Sequence, residues 1–172
     1  MNLYLMRHGI ALPADDPAVA VDAERPLSPK GLKRTRKIAK GMRRLDLSFD
    51  VLLTSPLARA RQTADLVAAA LGAEALVEEI SSLSPESTVE QLLVELTRYQ
   101  NRGDLLLVGH EPLLSNAAAH LLAGKSARGA LHLEFKKGGL CRIEIDALPL
   151  ASPGRLHWFL TPKQLRCIAD GR

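Results

Sequence analysis

Cysteine is scarce in this chain: Cys141 and Cys167 are the only two in 172 residues, too few for the disulfide framework of a small secreted scaffold. Aromatic residues make up only 3%, so the stacking platforms that hold single-stranded nucleic acid are in short supply. No apolar run reaches the ~20 residues that a membrane span requires. The opening stretch Met1 to Arg7 has no basic region, and Arg7 ends its apolar run too early for a signal peptide. The expected compartment is therefore the cytoplasm. No internal repeat, low-complexity tract or Pro/Gly/Ser-rich linker divides the chain, and one domain over 1–172 is expected.

The remaining composition is that of an ordinary globular protein, with 47% hydrophobic and 24% charged residues. A chain of this length buries roughly 70% of its unfolded surface and needs no staple. The net charge of +4 is unevenly placed. Lys30, Lys33, Arg34, Arg36, Lys37, Lys40, Arg43 and Arg44 follow one another with no acid among them, and without those eight the chain stands at −4. Such a run can be a solvated helix face, or it can meet an acidic partner or a nucleic acid. It matches no nucleic-acid recognition motif, so a basic binding module is the weaker of the two function classes considered.

Short apolar runs alternate with amphipathic segments. Asn2 to Met6 and Asp50 to Thr54 read as buried strands, 75–80 as a further strand, and Leu105 to Val108 as the most apolar strand of all. Ser28-Pro29 gives a cap and a first-turn proline for a helix to Arg44. Ser55-Pro56 repeats that signal for a helix ending at Gly72. Further helices are expected from Pro85 to about Tyr99, from Glu111-Pro112 to Gly124, and after Thr161-Pro162. Leu131 to Phe135 and Leu140 to Ile145, joined by Lys136-Lys137-Gly138-Gly139, read as a hairpin. Leu156 to Leu160 is the last strand. This order predicts an α/β fold: a three-layer α/β/α sandwich with a mostly parallel, mixed sheet and helices on both faces. Residues 10–27 show no periodicity and read as a loop.

Several chemistries can be set aside. His110-Glu111 opens like a zinc-protease helix, but Leu114 occupies the position of the second histidine. A cysteine phosphatase needs an arginine six positions after its cysteine, where Cys141 has Ala147. No cluster of Cys, His and carboxylates has metal-ligand spacing, so neither a metal nor a cofactor is expected. What remains is a set of three strand ends: Arg7-His8-Gly9, then Ser55 to Arg59, then Gly109-His110-Glu111. In an open α/β sheet, ligands bind beyond the carboxyl ends of the strands, where helix N-termini favour anions. Two guanidiniums there can grip a phosphoryl group. One imidazole can attack phosphorus, and a second can donate to the equatorial oxygens. Gly9 allows a close approach at the mouth of such a site.

These segments resemble the histidine phosphatase superfamily, which includes the phosphoglycerate mutases. Met6-Arg7-His8-Gly9 is similar to its RHG signature, Ser55 to Ala64 (SPLARARQTA) to its second arginine motif, and Gly109-His110 to its second histidine. Arg25-Pro26-Leu27-Ser28 with Gly31, the segment Val108 to Pro112, and Trp158 to Leu165 (WFLTPKQL) resemble the small SixA-type phosphohistidine phosphatases. The resemblance covers nearly the whole chain. It implies a phosphoglycerate mutase-like fold, a metal-free phosphatase, and His8 as nucleophile, with Arg7, Arg59 and His110 on the phosphoryl group and Arg25 at the pocket edge. Larger members carry a lid with a proton donor, for which this chain has no room, and Ser81 to Pro85 holds no acid where the mutase-like members carry glutamate. Glu111 stands where the acid phosphatases of the superfamily have an aspartate, and equally suits a helix N-terminus. The expected partner is a phosphohistidine-bearing protein docked on the basic face, or else a small phosphate ester; no nucleic acid and no membrane are expected.

Overall fold

A computed structural model describes residues 1–124 and 131–171. Among these residues six strands form one sheet: β1 (Asn2–Arg7), β2 (Val51–Thr54), β3 (Val77–Glu79), β4 (Asp104–Gly109), β5 (Leu140–Glu144) and β6 (Arg155–Leu160). Their order is β3-β2-β4-β1-β5-β6. The pairs β2·β3, β2·β4 and β1·β4 are parallel, while β5 runs antiparallel to both β1 and β6. The sheet is mixed, as expected. Five helices accompany it: α1 (Pro29–Arg44), α2 (Ala58–Leu71), α3 (Val89–Leu96), α4 (Leu113–Ala123) and α5 (Pro162–Ala169).

The period-2 alternation of the strands sorts the core into two layers. Leu3, Leu5, Leu53, Leu105 and Leu107 face α3 and α4, where they meet Leu92, Leu96, Leu114 and Leu121. Tyr4, Met6, Leu52, Leu106 and Val108 face the other way, onto Ile38 and Met42 of α1, Val67 of α2 and Leu165 of α5. Each fully buried Leu, Ile or Met in these layers contributes about 1.5–3 kcal/mol of transfer free energy. This is the three-layer sandwich, and it holds the C-terminal ends of β1, β2 and β4 side by side.

Local signals mostly act as the sequence suggests. Ser28 Oγ accepts from Gly31 N at 3.0 Å, with Pro29 in the first turn, and Gly72 ends α2 at φ 68°. Three expectations are corrected. The hairpin does not form: residues 131–136 are not in a strand, because both edges of β5 are taken by β1 and β6. Only the turn survives, with Gly138 at φ 84° and Gly139 N donating to Lys136 O at 2.6 Å. The third helix starts at Val89 instead of Pro85, since Thr88 and Gln91 form a reciprocal capping box. Ser55 does not cap α2, whose N-cap is Leu57 with no side-chain cap bond.

The basic run lies on α1 as expected, but its charges are divided. Lys37 pairs with Asp170 at 2.7 Å, Arg44 donates to Ile168 O at 3.0 Å, and Lys33, Lys40 and Arg43 are exposed. Among the described residues, no helix is long and apolar enough to cross a membrane.

Candidate active site

The parallel ladders fix where each chemical group emerges. Arg7 lies opposite Gly109 in the β1·β4 register, and His8 N donates to Gly109 O at 3.0 Å, so the two histidine-bearing strand ends leave the sheet together. Ser55 N donates to Val108 O at 3.0 Å, which brings the end of β2 alongside. His8 and His110 are both buried, and their rings stand 4.9 Å apart at 50°.

Hydrogen bonds orient the imidazoles. His8 Nδ1 lies 2.7 Å from Gly9 O; a carbonyl only accepts, so Nδ1 carries the proton and Nε2 keeps its lone pair. His110 Nε2 shares a hydrogen bond of 2.9 Å with Ser55 Oγ. Burial, then the neighbouring His110 and the Arg59 and Arg7 guanidiniums, push His8 down to about 3. Burial and the same two guanidiniums, with Arg25, push His110 down to about 4. Both rings are therefore neutral near pH 7.

The guanidiniums surround this pair. Arg59 leaves the first turn of α2 and is 4% exposed. It donates to Asp22 O at 2.9 Å and its Nη2 lies 3.1 Å from Asp22 Oδ2. Arg25 donates to Leu12 O at 2.9 Å and to Asp22 Oδ1 at 2.8 Å. Arg7 Nη1 donates to Phe135 O at 2.7 Å. The Nε atoms of Arg7 and Arg59 are buried with no hydrogen-bond partner in the protein. Two charged, desolvated donors of this kind suit an oxyanion. Thr63 locks the frame: its hydroxyl donates to Arg59 O at 2.7 Å and accepts from Gly9 N at 3.0 Å.

All four residues expected at the centre, Arg7, His8, Arg59 and His110, thus come together, with Arg25 joined to them through Asp22. Glu111 sits at the edge: one carboxylate oxygen accepts from the Ser115 hydroxyl and the other from Phe135 N at 3.3 Å. The close approach that Gly9 permits is made by α1, since a Cβ there would run into Thr35 Oγ1. Gly31 likewise has no room for a side chain against Ile10 O. Sequence reading missed Asp22, Ser55 and Thr63. Ser55 and Thr63 stood inside the quoted second arginine motif, and Asp22 lay three residues before Arg25, but nothing in their spacing marked their partners. Among the described residues, no group of three or more His, Cys, Asp or Glu side chains could hold a metal ion.

Half-buried Arg7, buried Arg59 and two neutral imidazoles thus gather where β1, β2 and β4 end. The sequence profile of the histidine phosphatase superfamily (branch 1) matches residues 3–82, and the same fold recurs over 96% of this chain and 99% of a solved protein histidine phosphatase SixA complexed with tungstate, with 25% identity and a TM-score of 0.82. The chain belongs to the histidine phosphatase superfamily. Its relatives there include the phosphohistidine phosphatase SixA of Escherichia coli K12, 27% identical over 96% of this chain and 97% of that one. An uncharacterised protein of Picosynechococcus sp. is 42% identical over 96% of this chain and 99% of its own length. In this chain Arg7 closes β1 with His8-Gly9 directly after it, and His110 directly follows β4.

Proposed function

We propose that the chain is a phosphatase that works through a covalent phosphohistidine at His8 and acts on phosphohistidine borne by proteins. The observation that carries this reading is the pairing of a neutral imidazole, its Nε2 lone pair free, with buried guanidinium donors that have no partner within the protein. His8 Nε2 forms a bond to phosphorus as the bond from phosphorus to the leaving group breaks. Arg7, Arg59 and His110 hold the equatorial oxygens while charge spreads in the loose transition state. Water then attacks the phosphorus of phospho-His8, the P–Nε2 bond breaks with its electron pair returning to Nε2, and the water proton leaves with the phosphate, so that His8 is restored as the neutral Nδ1–H ring.

Leaving-group chemistry supports the N–P substrate. Expelling an alkoxide needs a proton donor worth roughly 10²- to 10⁴-fold, and both carboxylate oxygens of Glu111 are already engaged by Ser115 and Phe135. A substrate imidazole, with an ordinary pKa near 6.5, leaves as a neutral ring with little help. The experiment is a substrate panel comparing a phosphohistidine protein, a sugar phosphate, a nucleotide and an aryl phosphate. The expected result is a higher kcat/KM on the phosphohistidine protein than on either alkyl phosphate; faster hydrolysis of the sugar phosphate or nucleotide overturns it in favour of a small-molecule phosphatase.

A further inference from the structure

Beside the active site lies a second feature, of which phosphoryl chemistry uses only Arg7. A cleft of about 570 Å³ opens between α1, the turn at 136–139 and the start of α5. Six cationic side chains line it: Arg7, Arg34, Lys136, Lys137, Lys163 and Arg166, against one carboxylate, Glu134. Arg34, Lys136, Lys137, Lys163 and Arg166 make no ion pair among the described residues. Arg34 alone comes from the eight-residue basic run of the sequence, so this concentration arises from folding.

We infer that this cleft is a docking groove for an acidic protein segment flanking the phosphorylated residue. The inference rests on the phosphatase reading above and adds to it a second determinant of substrate choice. Arg7 is shared: it lines the cleft and also belongs to the phosphoryl-binding set. A ligand lying in the groove therefore extends from the reacting phosphorus. Lys137 marks the junction, because burial and then Arg7, Arg25 and Arg59 hold its ammonium below the usual lysine range.

The electrostatics select an anion. Six like charges opposed by the single carboxylate of Glu134 repel one another, and an external anion relieves that cost. The geometry selects a chain segment over a single small anion. The cations come from four separate segments, the Lys136, Lys137 and Lys163 side chains are exposed, and the lining includes the apolar Ile10, Ile38 and Pro162. A lone phosphoryl group is already served by Arg7, Arg25 and Arg59, which leaves the outer cations for carboxylates spaced along a peptide.

The test uses a fluorescein-labelled peptide with Asp and Glu flanking an unphosphorylated histidine, read by anisotropy with the full chain. Wild type binds it, and affinity falls steeply as salt rises from about 20 to 300 mM, where screening shortens to within contact range. Lys136→Gln/Lys163→Gln/Arg166→Gln weakens binding about tenfold. Lys33→Gln/Lys40→Gln/Arg43→Gln removes the same charge from the exposed face of α1 and leaves the affinity as it was. Equal losses in both triple variants, equal binding of an Asn/Gln-flanked peptide, or tighter binding of a nucleoside diphosphate or an oligonucleotide overturns the groove.

A second arm compares kcat/KM on phosphohistidine peptides with acidic or Asn/Gln flanks. The expected preference for acidic flanks is about tenfold in wild type and disappears in the cleft variant. If neither phosphopeptide is hydrolysed, the proposed function fails, while the anisotropy arm still decides the groove.

Discussion

Replacing Arg59 by lysine separates a two-point grip from a mere positive charge. The Arg59 guanidinium is buried beside two neutral imidazoles, with Nη1 on Asp22 O at 2.9 Å and Nε without a partner in the protein. Lysine keeps one charge but has no planar fork, so it cannot offer the phosphoryl oxygens two parallel donors. Losing a transition-state contact of this kind costs about 10²- to 10³-fold in rate, or about 2.7–4 kcal/mol. The effect on the fold is smaller. Asp22 is 57% exposed, so its ion pair with Arg59 is screened and stabilises by roughly 1 kcal/mol or less. In a chain of this size that shifts Tm by about 2–4 °C. Steady-state turnover of an aryl phosphate, with thermal unfolding of the same samples, should show Arg59→Lys nearly as inactive as Arg59→Ala and almost as stable as wild type. Retention of wild-type kcat/KM to within about fivefold in Arg59→Lys would refute the clamp and leave Arg59 as a charge that only sets the local field.

Asp22→Asn removes a resident anion from Arg59 and Arg25, so inorganic phosphate should inhibit about two- to fivefold more tightly; weaker inhibition would make Asp22 a support for Arg59 instead. Ser55→Ala deprives His110 Nε2 of its partner and should lower kcat about tenfold through the unsatisfied buried nitrogen, whereas Ser55→Thr should restore most of the loss. Burial holds His8 and His110 near 3 and 4, below the 6.5 of an unfolded histidine. The unfolded chain therefore takes up protons first as pH falls, so the stability supplied by the neutral rings is complete above 6.5 and is lost between 6.5 and 3, by up to roughly 1.4 kcal/mol per pH unit for each ring. Urea midpoints at pH 7 and 5 should differ less in His8→Gln than in wild type, and NMR midpoints near 6.5 for both rings would contradict the burial argument.

Strand and helix placement was largely legible, because the sandwich is built from runs whose period survives packing. Leu105 to Val108 is apolar on both sides since both layers cover it, and Ser28-Pro29 caps α1 through a bond made within four residues. The hairpin failed because hydrogen-bonding edges are a property of the whole sheet. Residues 131–135 alternate as a strand would, but β6 arrives later in the chain and takes the edge of β5. At the site, strand ends and helix starts exposed Arg7, His8, Arg59 and His110 to sequence reading, since each sits at a boundary of regular structure. Asp22 was hidden for the opposite reason: it lies in the stretch at 10–27, where no period exists, and only the fold carries it to Arg59. The basic cleft was equally hidden, because its charges come from four segments separated in sequence.

The central claim is that His8 becomes covalently phosphorylated, and trapping that species tests it most directly. The protein is mixed briefly with a labelled phosphoryl donor, quenched in alkali and mapped by peptide. Phosphohistidine survives base and is lost in acid, so the account predicts base-stable, acid-labile label on His8 in wild type and none in His8→Ala. Turnover without any labelled intermediate, or label of the same stability retained by His8→Ala, would contradict it.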